Sequence, residues 1–362
     1  MRPVLLTALA VCCAVAFTNA TVDQPFAWRL PNGFPTPRVP ASNPMSTAKV
    51  ALGRYLFYDT RLSGNGQQAC ATCHEQARAF TDGRAHARGS TGAEHPRSSM
   101  SLVNVAYASV LTWGNPSVVN LEEQALVPMF GDHPVELGLT RPGTELLARL
   151  RRVAEYQRLF PAAFEGSDDP FTIENVTRAI ASFERTIISG RSPYDRYHFD
   201  RQDDAIPAAA RRGEQLFFSS PLSCFRCHGG FTFSGATDFE GRRAGGPPEF
   251  HNNGLSNAAG GIFDVTGRAE DFGKFKAPTL RNIAVTGPYM HDGSVATLEV
   301  VLEYYAAGGR DQRNKSELIH GFPLKADQER DLISFLQTLT DDELLRDPRF
   351  SNPWVRQGQE VR

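Results

Sequence analysis

The chain has 362 residues, 41% apolar and 22% charged, an ordinary globular composition with enough length to bury two cores. Lys and Arg number 38 against 40 Asp and Glu, a formal net charge of -2, a balance that argues against a nucleic-acid binder, which needs a basic face. With 31 Gly, 24 Pro and 24 Phe, the composition points to short helices joined by long ordered loops, and to an aromatic supply suited to wrapping something flat and apolar.

Residues 1–20, MRPVLLTALAVCCAVAFTNA, read as a secretory signal. Arg2 supplies the positive start, Val4 to Phe17 is mostly apolar, and Thr18-Asn19-Ala20 offers small residues for cleavage. No other apolar run approaches ~18 residues, so the mature protein is expected to be exported without stable membrane insertion. Residues 21–44 are rich in Pro and have no period. They read as an extended arm lying on the body.

A first unit is expected over residues 45–205. Gly53-Arg54-Tyr55-Leu56-Phe57 precedes Cys70-Ala71-Thr72-Cys73-His74. Later, Val176, Ile180, Phe183 and Ile187 recur at helical spacing, with Asn175 or Thr172 able to cap that helix. A polar stretch from Asp200 to Ala208 marks the boundary. A second unit, residues 206–362, repeats the order. Gly213-Glu214-Gln215-Leu216-Phe217 precedes Cys224-Phe225-Arg226-Cys227-His228, Thr237 to Gly261 reads as a long loop, and Leu332, Phe335 and Leu339 form a closing helix begun near Lys325 or Asp327.

Of six Cys, two lie in the signal and four make two C-x-x-C-H sequences. That pattern attaches c-type haem: two thioethers hold the porphyrin edge and the adjoining His reaches iron from one face. A zinc site would need further paired ligands, and a redox dithiol does not require His after both pairs. The expected fold is therefore mainly α, two tandem cytochrome c-like haem units with long loops, holding two covalent haem c groups through Cys70, Cys73, His74, Cys224, Cys227 and His228.

The two-haem layout resembles the bacterial di-haem cytochrome c peroxidases and the MauG-like enzymes. The resemblance is carried by Ala277-Pro278-Thr279-Leu280-Arg281-Asn282 followed by Gly287-Pro288-Tyr289-Met290-His291-Asp292-Gly293. Within that group, LPNGFPTPRVPASNPMS, LFYDTRLSGNGQQACATCH, LEEQALVPMFGDHPVELGL and LLRDPRFSNPW resemble the MbnH family.

The resemblance implies a periplasmic enzyme in which hydrogen peroxide binds the haem of His74. Gln124, Pro128 and Pro134-Val135-Glu136-Leu137 match the acid–base segment over its open face. Glu136 would carry a proton between the peroxide oxygens; without the resemblance it reads as a solvated loop carboxylate. His86 and His95 do not lie where the peroxidases close this haem, so a permanently open iron is expected. The second haem, on His228, has Tyr305 where the peroxidases place Met. A thioether favours ferrous iron, whereas a phenolate favours higher oxidation states. Tyr304 and Met290 are the alternatives, and neighbouring helical Tyr side chains point about 100° apart, so only one can face iron.

Trp113 matches the aromatic bridge between haems, or is a buried ring with a satisfied N–H; Trp28 and Trp354 lie near the chain ends. His291 could hold a haem propionate or brace its loop. The resemblance also implies a calcium ion on the carbonyls of Thr286 and Pro288, with Ser98 at the position of a peroxidase Asn. The implied function is peroxide-dependent oxidation, through a state with both irons formally Fe(IV), of a Trp on a partner of the copper-binding MbnP type. The alternatives are a peroxidase fed by a small redox protein and a non-enzymatic electron carrier.

Overall fold

In a computed structural model the described residues are 26–242, 249–255 and 260–355; the leader read at residues 1–20 lies outside them. The described chain is mainly helical, with one two-stranded sheet. No described helix is long and apolar enough to cross a membrane.

Each half is framed by a pair of crossed helices. In the first half, Thr47–Phe57 starts at Ser46, whose side chain accepts from Lys49 N–H. It crosses Ile173–Glu184, where Thr172 accepts from Asn175 N–H and so supplies the cap. In the second half, Ala208–Phe217 crosses Ala326–Gln337; Lys325 is the cap residue and Asp327 falls inside the first turn, where its charge suits the helix dipole. The apolar stripes face inward, with Val176, Ile180, Phe183, Leu332 and Phe335 at 1% exposure or less.

A glycine makes each crossing possible. A Cβ at Gly53 would lie 1.8 Å from the Ala179 carbonyl oxygen, and one at Gly213 would lie 1.9 Å from that of Asp331. Both obstacles are backbone, so neither can move aside cheaply. Gly53→Ala is expected to destabilise the protein by about 3 kcal/mol, the upper range for overpacking. Denaturant unfolding of the haem-loaded protein checks this, and a change below about 0.5 kcal/mol, the ordinary surface range, would contradict the crossing geometry.

A second device recurs. Asn104 and Asn282 both adopt left-handed backbone, at φ 59° and 62°. Asn104 N–H donates to Ile187 O at 2.8 Å, and Asn282 N–H to Leu339 O at 2.9 Å. Each closes its haem loop onto the end of its closing helix.

Two apolar cores result, one around Leu52, Phe57, Phe80 and Phe183 and the other around Phe217, Phe233, Leu332 and Phe335. The end of the chain returns to the first core: Leu344 and Phe350 are buried there, and Trp354 Nε1–H donates to Tyr55 O at 3.0 Å. Residues 26–44 contain no helix or strand. Their anchor is Phe34, edge-on to Tyr107 and Phe231, above a buried Arg281 that pairs with Asp195 at 2.8 Å.

The stretch read as a loop over 237–261 holds one regular piece: Phe250–His251 pairs antiparallel with Phe275–Lys276. Two residues cannot show a period, and the partner strand lies in a distant segment, so the pairing was not visible locally.

Candidate active site

The helix Cys70–Cys73 ends at His74, and the 3-10 turn Cys224–Arg226 leads into Cys227 and His228. Both imidazoles are held alike. His74 Nδ1 lies 2.8 Å from Phe80 O, and His228 Nδ1 lies 3.0 Å from Pro278 O. Donation from Nδ1 fixes the tautomer that leaves Nε2 free as a ligand. Burial lowers both imidazole pKa values, that of His228 to about 4, which favours the neutral form that metal ligation requires. All four thiols are free rather than paired with one another.

Each motif faces a cavity. The first spans about 780 Å³, part of it open to solvent, and is lined by Cys70, Cys73, His74, Gln124, Pro128 and Glu136 among others. The second spans about 1420 Å³, also partly open to solvent, and is lined by Cys224, Cys227, His228, Tyr305, Met290 and His291 among others. In the second, His291 stacks on Phe275 at 3.7 Å, and its buried Nδ1 has no hydrogen-bond partner. Free thiols, oriented imidazoles, apolar walls and this orphaned nitrogen all fit a covalently attached haem in each cavity.

The first cavity thus brings together the residues that lie in separate stretches of sequence. Glu136 sits on a loop pinned on both sides: Ser90 N–H donates to Glu136 O at 2.6 Å, and Leu137 N–H to Pro128 O at 2.8 Å. Burial raises the Glu136 carboxyl pKa, and His95 opposes that.

In the second cavity Tyr305 and Met290 share one partner. Asn253 Nδ2–H donates to the Tyr305 hydroxyl at 3.3 Å and approaches the Met290 sulfur at 3.6 Å. Tyr304 turns elsewhere and donates to Asn253 O at 3.0 Å, as the helix rotation between neighbours requires. Burial pushes the Tyr305 phenol up to about 12. Met290 is held at φ 72°, a conformation costly for a side chain of this kind and found where a site over-determines the backbone.

Trp113 lines both the second cavity and a central cleft. Its Nε1–H donates to Ser98 O at 2.9 Å. Thr286, Pro288 and Ser98 also line that cleft, whose lining includes no carboxylate; the oxygen donors there are neutral.

A family model described as di-haem cytochrome c peroxidase matches residues 47–204. Cytochrome-c peroxidase IdrP1 of Pseudomonas sp. (strain SCT) is 37% identical, over 95% of this chain and 94% of its own length. The chain belongs to the di-haem cytochrome c peroxidase and MauG family. The methylamine utilization protein MauG of Methylorubrum extorquens is 33% identical over 92% of this chain and 90% of that one. A crystal structure of a MauG-like protein associated with microbial copper homeostasis matches with a TM-score of 0.87 and 44% identity, covering 91% of this chain and all of that one (100%). The di-haem peroxidase BthA of Burkholderia thailandensis shares the fold at TM-score 0.67 and 21% identity, over 90% of this chain and 96% of that one.

This di-haem oxidoreductase places three further polar groups at its cavities whose setting the sequence does not show. Glu184 lines the first cavity at 5% exposure, with Oε2 unpartnered, and burial raises its pKa to about 8. It had read as one more position on the closing helix. Lys276 is buried beside the second cavity, with Nζ donating to Val110 O at 2.8 Å, and burial lowers its pKa to about 7. His95, considered only as an iron ligand, lies in the first cavity with Nε2 4.0 Å from Glu136 Oε1. His86 instead contacts Asp292 O at 3.2 Å.

Proposed function

We propose that this chain is a periplasmic, peroxide-dependent di-haem enzyme that withdraws electrons from a residue, Trp in the first instance, of a partner protein. The observation that carries this reading is Tyr305, directed into the cavity of His228 while Tyr304 turns away. When bound, the two haems supply peroxide cleavage at one iron and storage of an oxidising equivalent at the other.

The chain's own residues do the rest. His74 and His228 would hold the irons through Nε2. Gln124 and Glu136 face the incoming peroxide, and Glu136 moves a proton from its inner to its outer oxygen, so that the latter leaves as water and not as hydroxide. Trp113, in the wall between the central cleft and the second cavity, relays electrons between the two sites. Over one cycle, hydrogen peroxide, two electrons and two protons become two waters, and the partner supplies the electrons. The likeness to a MauG-like protein associated with copper homeostasis supports a copper-binding partner of the MbnP type. A calcium ion on the carbonyls of Thr286 and Pro288, completed by water, joins the same reading, as does the export signal at residues 1–20.

A second reading has its own support. Met290 sulfur competes for the Asn253 amide that Tyr305 uses, and thioether ligation would suit a peroxidase that draws electrons from a small redox protein.

One experiment separates them. Neighbouring exported proteins, treated with peroxide with and without this enzyme, are compared by mass spectrometry, with calcium measured on the same preparation. A mass change on Trp that requires the enzyme is expected. Rapid peroxide consumption with a small cytochrome, and no modified protein, would sink the first reading in favour of the second.

A further inference from the structure

His95 Nδ1 has two backbone partners. Arg97 N–H donates to it at 3.1 Å, and Arg97 O lies 3.1 Å from the same nitrogen. A neutral ring with its proton on Nε2 can accept from Arg97 N–H. The charged ring can turn its new Nδ1–H to Arg97 O. Both protonation states are thus satisfied on one side, and in both Nε2–H faces Glu136. A histidine kept only for packing has no need of a second acceptor at Nδ1.

The other charged groups around this pair are accounted for. Arg88, on the same cavity wall, is taken by Glu94 at 2.8 Å. Arg97 lies over the Phe275 ring at 5.0 Å. From the closing helix comes the buried Glu184, and from the motif helix the Cys70 and Cys73 sulfurs, which thioether formation leaves uncharged. His74 is committed to Phe80 O. His95 is the remaining cation-forming side chain in this lining.

We propose that His95 is the positioning residue of Glu136, a partner that aims the carboxylate and counters the effect of burial on its ionisation. This rests on the reading that Glu136 handles the peroxide proton. Glu136 can take a proton only while ionised, and burial alone favours its neutral form. Imidazolium at 4.0 Å opposes that preference. The proton Glu136 takes from one peroxide oxygen is the one it returns to the other, so the pair ends each cycle as it began.

The test is the pH profile of the peroxide-induced Soret change in the haem-loaded protein, followed by stopped flow in wild type, His95→Gln, His95→Asn and Glu136→Gln. Resting ferric spectra are recorded for each. Removing the imidazolium should move the acid limb to higher pH by about one unit or more. The alkaline plateau should hold. The spin states should also hold. An unmoved limb in both His95 variants overturns the proposal, as does a depressed plateau with no shift, which is what a packing role gives. Conversion of the first haem from low to high spin in those variants also overturns it, by making His95 an iron ligand. A wild-type rate in Glu136→Gln would instead remove the reading beneath it.

Discussion

Glu136→Gln should slow the reaction with hydrogen peroxide by about 10²–10⁴-fold, the usual contribution of a positioned acid–base group. Glutamine keeps the shape of the side chain but cannot take up and return a proton. The loop should survive the change, because its position is set by backbone bonds, Ser90 N–H to Glu136 O and Leu137 N–H to Pro128 O. Both Soret bands and the unfolding midpoint should therefore match wild type, which isolates the chemical step. Stopped-flow measurement at several peroxide concentrations checks it. A second-order rate within twofold of wild type would remove Glu136 from the mechanism and leave Glu184, which lines the same cavity, to carry the proton.

Tyr305→Met should raise the potential of the second haem by on the order of 100 mV or more, because a thioether stabilises ferrous iron and axial ligands span a wide potential range. Methionine at 305 would face the same cavity from the same helix turn, beside the Asn253 amide that now donates to the phenol. Two activities should move in opposite directions. Oxidation of a partner protein should fall, and turnover with a small reduced cytochrome should rise. Spectroelectrochemical titration reads the first effect and steady-state assays the second. If the potential stays where it was, Tyr305 does not ligate iron. Met290→Leu in the same assay then asks whether its neighbour at the Asn253 amide does.

Much of this protein was legible from residue order alone, because its chemistry is covalent and local. A haem attached through C-x-x-C-H is written in five consecutive residues, so both candidate attachment sites, the His beside each and a repeated plan could be proposed before any fold. The helical stripes of Val176, Ile180, Phe183, Leu332 and Phe335 were equally plain, since burying one face of a helix imposes its period on the sequence. Tertiary structure decided everything that depends on approach between distant segments. The Gly53 and Gly213 crossings need a backbone carbonyl from another helix before either glycine has a reason. Asn104 had no visible counterpart until its bond to Ile187 O matched that of Asn282 to Leu339 O. His95 and Glu136 lie 41 positions apart in the chain, on loops without a period, yet their side chains meet in one cavity. Glu184 looked like any polar residue at the end of an amphipathic helix, and only its burial beside the first motif marks it. Local patterns record what a segment does with its own residues; the ionisation of a carboxylate is set by whatever the fold places a few ångströms away.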